Sequence, residues 1–323
     1  MNIAVLAGGR SAERTISLAS GKQVYDALVR LGHTVVWWDV TRKLLEPPPG
    51  AVTGVLTEFD VLKHPAPNLV FIALHGTDGE DGTVQGFLEL MGLKYTGSGV
   101  LASALAMDKV RAKTMFTAAG IPTPAHMLLE SRDLLVTRNT VRRVEQDLGI
   151  PCVVKPVRQG SSFGTTIVKD ISDLPRALRS AARFDSQVMV EELVVGTEIT
   201  VSCLGNSPVA ALPIIEIVTK SGFFDYAAKY STDDDAAEEI VPARLETDMA
   251  EEATKLAIEC HLVLGCRGVS RTDMIVSEDG VFVLETNTLP GLTSTSLLPK
   301  AAAAIGLDFD ALVARLVEMG LEK

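Results

Sequence analysis

The chain has 323 residues, 47% apolar and 22% charged, a globular composition with room for about two to three hydrophobic cores. Its 30 basic and 41 acidic side chains leave a formal net charge of −11, which argues against general nucleic-acid or anionic-membrane binding. No segment approaches the roughly 20 continuous apolar residues of a membrane span, and the apolar run in MNIAVLAGG is too short for a signal sequence. Cys152, Cys203, Cys260 and Cys266 show no CxxC pairing, so core thiols in a reducing cytoplasm are expected. Cys260, His261 and Cys266 have no second ligand pair nearby, which argues against a zinc site.

In chain order, Asn2 to Ala7 reads as a buried strand, Arg14 to Leu31 as an amphipathic helix and Thr34 to Trp38 as a second strand. Leu69 to Leu74 reads as a third, followed by a glycine-rich loop and a helix from about Thr83 to Met91. This alternation predicts a doubly wound α/β unit, with a boundary near Thr96 to Met107. Beyond it come a helix from Lys109 to Ala119, the break IPTP, and a helix from Arg132 to Leu148. Strands are predicted at Cys152 to Pro156, Thr165 to Lys169, Gln187 to Glu191, Glu198 to Leu204 and Val209 to Glu216. The polar segment Ser221 to Arg244 has the length of a lid or binding loop. A helix from about Glu246 to Leu264, a hairpin and C-terminal helices complete the chain.

AGGRSAERTIS follows the first strand, which places Glu13 at the crevice where that strand ends. Glu13 is either an ordinary first-turn acid or the partner of a substrate ammonium. HGTDGEDGTVQG, from His75 to Gly86, also sits at a strand end. His75 is either structural or, in the same crevice, a substrate-site residue, while Asp78, Glu80 and Asp81 read as a solvated turn with Asp81 or Thr83 capping the next helix. TGSGVLA satisfies a dinucleotide fingerprint, but no acid stands about 20 positions on to bind a ribose. KPVRQGSSFGTT joins two strands, and Gly160 and Gly164 permit a tight loop whose Ser161 and Ser162 hydroxyls can cradle anionic oxygens. It lacks GK[ST] and a following helix, so it is not a Walker loop. Lys155, at the end of a buried strand, needs an anionic partner.

The strongest signal is GVSRTDMIVSEDGVFVLETNTLPG. A turn of about three residues, Glu278, Asp279 and Gly280, predicts Asp273 opposite Glu285 and Arg271 opposite Asn287. Two carboxylates and an amide oxygen then converge beside a guanidinium, an oxygen cluster suited to Mg2+ that keeps waters and phosphate oxygens as its other ligands.

GGRSAERTISLASG, HGTDGEDGTVQG, YTGSGVLASALAMDK, VVKPVRQGSSFG, FFDYAAKYS, RTDM and LETNTLPGLTSTSL occur in the order found in D-alanine–D-alanine ligases, and over essentially its whole length the chain resembles that ATP-grasp family. The resemblance implies an N-terminal α/β substrate domain (1–97), a central ATP-grasp subdomain (98–191) and a C-terminal ATP-grasp subdomain with the metal site and lid (192–323). It implies that Asp273, Glu285 and Asn287 ligate two Mg2+ ions, with Mn2+ as a substitute. Lys109, Lys155, Ser162 and Lys229 would contact the phosphates of ATP. Glu191, Glu192, Leu193 and Val194 would bind adenine through the backbone, Glu198 the ribose, and Phe223 would pack on the base. Glu13 would hold the first D-alanine's ammonium. Ser296 and the Leu297 amide would take the second substrate's carboxylate, and Arg271 with the Gly291 amide would form the oxyanion hole. Tyr230, Ser161 and Glu13 would form a network from lid to substrate.

The implied reaction joins two D-alanines through an acylphosphate for peptidoglycan precursor synthesis, in a cytoplasmic homodimer. Gln159, Phe163, Ala227, Thr272 and Glu192 depart from the commonest family residues, which bears on ATP affinity and lid packing. Tyr230 favours a dipeptide product over D-alanyl-D-lactate. Other acceptors (D-serine or D-lactate) and a non-catalytic nucleotide-binding module stay open at this point.

Overall fold

The computed structural model describes residues 1–39, 52–55, 66–130, 138–219 and 237–322. The first sheet is parallel, with β1 (Asn2–Ala7), β2 (Thr34–Asp39), β3 (Val52–Val55) and β4 (Leu69–Ile72) in the order β3-β2-β1-β4. Because β1 lies inside the sheet, both of its faces need cover, which explains its unbroken apolar run. Ile3, Val5 and Ala7 join a core formed with α1 (Arg14–Arg30) and the C-terminal helices, whereas Ala4 and Leu6 join a second core against α2 (Thr83–Leu90). The connections from β1 and β4 leave on opposite sides, so the sheet's switch point lies where AGGRSAER and HGTDGEDG begin.

Helices α3 (Val100–Met107) and α4 (Lys109–Ala118) lead to the second sheet. Here β5 (His126–Leu129), β6 (Cys152–Pro156), β7 (Thr166–Val168) and β8 (Val188–Glu192) pair antiparallel in the order β5-β8-β6-β7. Cys152, Val154, Val188 and Val190 pack with α6 (Leu174–Ala181), which crosses the sheet after α5 (Arg138–Asp147). Alternation therefore turns Val153, Lys155 and Glu191 to the other face.

The third sheet holds β9 (Thr197–Leu204), β10 (Ala210–Ala211), β11 (Ile215–Val218), β12 (Glu238–Ile240), β13 (Val269–Ser277) and β14 (Gly280–Asn287). Its Ile199, Val201, Met274 and Val283 pack with α7 (Thr247–Val263). Helices α8 (Leu297–Ala303) and α9 (Phe309–Leu321) return to the first sheet, where Arg30 on α1 pairs with Asp310 on α9. Among the described residues, no helix is long and apolar enough to cross a membrane.

Several elements differ from the sequence reading. The short strands β3 and β5 were not anticipated, since VTGV and HMLL are too brief to show a period. Of the helix expected from Arg132 to Leu148, the described residues hold Arg138–Asp147, and residues 131–137 lie outside them. Pro213 splits the strand expected from Val209 to Glu216 into β10 and β11, because it has no N–H for the ladder. The β13–β14 turn has two central residues, not three, since Ser277 pairs with Gly280. A register shift after Asp273 sets Leu284 as the extra residue and restores the pairs Asp273–Glu285 and Arg271–Asn287.

Gly21 marks where α1 lies closest to the sheet. A Cβ there would stand 2.4 Å from that of Ala7 and 2.9 Å from the Trp37 ring. Replacing glycine by alanine within a helix normally gains about 1 kcal/mol, whereas overpacking a core costs about 1–3 kcal/mol. Gly21→Ala is therefore expected to lower the urea midpoint of unfolding; a raised midpoint would contradict this packing.

Candidate active site

The register shift between β13 and β14 gathers Arg271, Asp273, Glu285 and Asn287 on one face of the third sheet. Arg271 clamps Asp273 in a bidentate pair, Nε to Oδ1 and Nη2 to Oδ2, both at 2.8 Å. The Thr200 hydroxyl donates to Oδ1 at 2.6 Å and the Asn287 amide to Oδ2 at 3.2 Å. Asp273 is buried, and these charge-assisted bonds offset the cost of taking its carboxylate out of water.

Helix α4 presents Lys109 and Lys113, one turn apart, to the space between the second and third sheets. The Lys109 ammonium stands 3.0 Å from Glu285 and donates to the Gln159 carbonyl at 2.7 Å. Lys113 lies 3.1 Å from one Glu191 oxygen, and Lys155 lies 2.5 Å from the other. Lys155 thus has the anionic partner that its sequence position demands, and that partner is a protein carboxylate. Burial works against every charge in this cluster. The carboxylates still raise the pKa of Lys155, and the two lysines hold Glu191 below the usual carboxylate range. Burial pushes Lys113 down to about 8.

A cavity of about 390 Å³ opens along this face, within the range of small-molecule sites. It is lined by Lys109, Lys155, Ser162, Glu191, Glu192, Leu193, Val194, Glu198, Asp273 and Glu285. A second cavity, of about 90 Å³, is lined by Glu13, His75, Glu80, Ser161, Arg271, Glu285, Asn287, Gly291, Ser296 and Leu297. Glu285 lines both cavities and so stands at their border. Phe223, Lys229 and Tyr230 lie outside the described residues.

The glycine-serine loop reaches across this border. Ser161 and Ser162 hold φ of 49° and 57°, a left-handed backbone that costs of order 1–3 kcal/mol per residue and clusters at functional sites. The Ser161 hydroxyl donates to Glu13, tying the loop to the first domain's switch point. A Cβ on Gly160 would stand 2.9 Å from a Glu13 oxygen, so the carboxylate would have to shift to admit one. Phe163 in this loop packs on Phe184 with ring centroids 6.3 Å apart.

In the smaller cavity His75 is buried beside Ser20, with its Nε2 3.0 Å from the Ser20 hydroxyl. Burial, with the nearby Arg271 charge, pushes its pKa down to about 4. Glu80 accepts the Gly76 amide at 2.7 Å. Burial and then the Glu13 charge push its pKa up to about 8. Glu80 and Lys113 were not singled out as functional by sequence. Glu80 stood among neighbouring acids in a glycine-rich loop, while Lys113 carried no motif of its own.

The oxygen set of Asp273, Glu285 and Asn287 fits Mg2+ or Mn2+ in donor chemistry. Each Asp273 oxygen already accepts bonds from Arg271 and one neighbour, so a cation at Asp273 competes with the guanidinium.

A family model described as D-ala D-ala ligase C-terminus matches residues 115–318, and one described as D-ala D-ala ligase N-terminus matches residues 50–98. The D-alanine–D-alanine ligase of Desulforamulus reducens is 43% identical over 326 residues, spanning 100% of this chain and 99% of its own. The VanG D-Ala:D-Ser ligase of Enterococcus faecalis superposes with a TM-score of 0.84 at 31% identity, covering 99% of both chains. The D-alanine–D-alanine ligase of Bacillus anthracis complexed with ATP superposes at 0.79 and 30% identity, covering 99% of this chain and 97% of that one. The sheets and helices described above are thus an α/β domain joined to an ATP-grasp fold. The chain belongs to the D-alanine–D-alanine ligase family.

Proposed function

We propose that this chain joins two D-alanines into D-alanyl-D-alanine at the expense of ATP, the step that supplies the dipeptide for peptidoglycan precursors. The observation that carries this reading is the shared border at Glu285. A nucleotide-sized cavity lined with Lys109 and Lys155 meets an amino-acid-sized cavity holding Glu13 and Arg271.

In this reading ATP occupies the larger cavity. Lys109, Lys155, Lys229 and Ser162 face its phosphates, Glu191 to Val194 bind adenine through the backbone, Glu198 takes the ribose, and Phe223 packs on the base. Asp273, Glu285 and Asn287 would hold two Mg2+ ions, which when bound neutralise charge on the phosphate oxygens. Glu13 holds the ammonium of the first D-alanine, fixed by its bond from Ser161, with Tyr230 continuing the network into the lid and His75 lining the site. The carboxylate of that D-alanine attacks the γ-phosphorus, the bond to the bridging oxygen breaks, and ADP and an acylphosphate result. Ser296 and the Leu297 amide place the second D-alanine's carboxylate. Its amine attacks the acyl carbon, and Arg271 with the Gly291 amide stabilises the tetrahedral oxyanion until phosphate departs. The domain limits 1–97, 98–191 and 192–323, a homodimer and a cytoplasmic location belong to the same proposal.

A second reading changes only the acceptor, and the 31% identity to a D-Ala:D-Ser ligase favours keeping it under test. Phosphate release from Mg-ATP is expected to need D-alanine, to yield the dipeptide, and to be far slower with D-serine or D-lactate. Arg271→Ala is expected to lower the dipeptide-forming rate by about 100-fold or more, the scale of losing an oxyanion donor. ATP bound without any D-alanine-dependent release would leave a nucleotide-binding module instead.

Glu80 generates a stability prediction of definite sign. Unfolded, it loses its proton near its ordinary value of 4.5; folded, it keeps it to about 8. Between roughly pH 5 and 8 the folded state therefore binds more protons, so its stability falls as pH rises. Glu80→Gln is expected to flatten that part of the Tm-against-pH curve, and an unaltered slope would reject the buried neutral carboxyl.

A further inference from the structure

Lys113 lines neither cavity, yet it is fully buried at 0% exposure. We propose that it is a positioning residue for the nucleotide site, acting through Glu191. The inference rests on the reading of the larger cavity as the ATP site and adds a residue to it.

The case is geometric. The Lys113 ammonium pairs with Glu191 on β8 and donates to the Thr123 hydroxyl at 2.5 Å. Thr123 donates to the Val283 carbonyl on β14 at 2.8 Å, and the Val283 amide donates to Pro122 at 2.9 Å. One side chain of α4 therefore joins the two sheets that flank the cavity. Glu191 in turn lines the cavity and holds Lys155 with its other oxygen. Packing does not explain the charge, because an unbranched apolar side chain fills the same space without the desolvation cost of a buried ammonium. Removing that ammonium leaves a Glu191 oxygen buried without its cation. The carboxylate then turns toward Lys155 or draws it away from the phosphate side. Either shift disturbs the nucleotide cavity and leaves the amino-acid cavity, on the far side of Glu285, as it was.

The test compares Lys113→Met with wild type for affinity toward a non-hydrolysable ATP analogue with Mg2+, and for the KM of each substrate. Expected is an analogue affinity and an ATP KM weakened by about tenfold or more, with the KM for D-alanine within about twofold. In an E191Q background, Lys113→Met should add little further weakening, because the two substitutions share one interaction. If wild type binds no analogue, the ATP reading itself fails. If wild type binds and folded Lys113→Met binds equally well, or if the two effects simply add, the positioning role is overturned. Should Lys113→Met not fold, Thr123→Val loosens the same ammonium without leaving a charge unpaired; an affinity weakened by about threefold supports the role, and an unchanged one overturns it.

Discussion

Charges in the walls between the second and third sheets are out of water and must be matched at short range. Arg271 with Asp273, Lys109 with Glu285, and Lys113 and Lys155 with Glu191 meet that demand at 2.5–3.1 Å. Each pair joins different elements or locks one strand's side chains, so the need for charge balance also fixes how α4, β6, β8, β13 and β14 sit together. Within this set the cations outnumber the carboxylates by one, because Glu191 serves two lysines. In the proposed reading a polyphosphate entering the cavity would meet donors already held in place, leaving little reorganisation for the moment of reaction.

The first domain enters through a different device. Its parallel sheet delivers Glu13 and His75 to the strand ends; the Leu292 amide donates to Ser20 there, and the glycine-serine loop adds the bond from Ser161 to Glu13. That bond is made by a loop holding two consecutive serines in the left-handed region. The strain is the cost of presenting a hydroxyl, where glycine alone would relax the backbone and supply no donor. The same loop contributes Ser162 to the larger cavity and Ser161 to the smaller one. One backbone conformation therefore serves both cavities.

Much of this was legible from sequence because it follows short periods. Alternation in β1 and the pairing of Asp273 with Glu285 need only a strand period and a nearby turn. Even so, the hairpin reached its pairing by a route the sequence did not reveal. A two-residue turn alone would have set Asp273 opposite Leu284, and the extra residue at Leu284 corrects the register. The side-chain role of Glu191 was hidden for another reason. It partners lysines 78 and 36 positions away, and no local pattern reports which carboxylate will meet Lys155. Lys113 was invisible on the same ground, since a lysine one turn after Lys109 on an ordinary helix normally faces solvent.

The smaller cavity shows how burial can select the charges a site retains. Its lining includes His75, Glu80, Glu13 and Arg271. Burial moves His75 down to about 4 and Glu80 up to about 8, so near neutral pH both are uncharged hydrogen-bonding groups. Arg271 keeps its guanidinium charge at any such pH, and the Glu13 charge is the one that helps hold Glu80 protonated. In the proposed reading the ligand here is an amino acid, a zwitterion with one cation and one anion to be met. Had His75 and Glu80 ionised as well, they would have offered each end of that zwitterion a competing partner. Moving their pKa values in opposite directions takes two charges of opposite sign out of the lining, so Glu13, Glu239, Glu285 and Arg271 remain as its other ionisable groups.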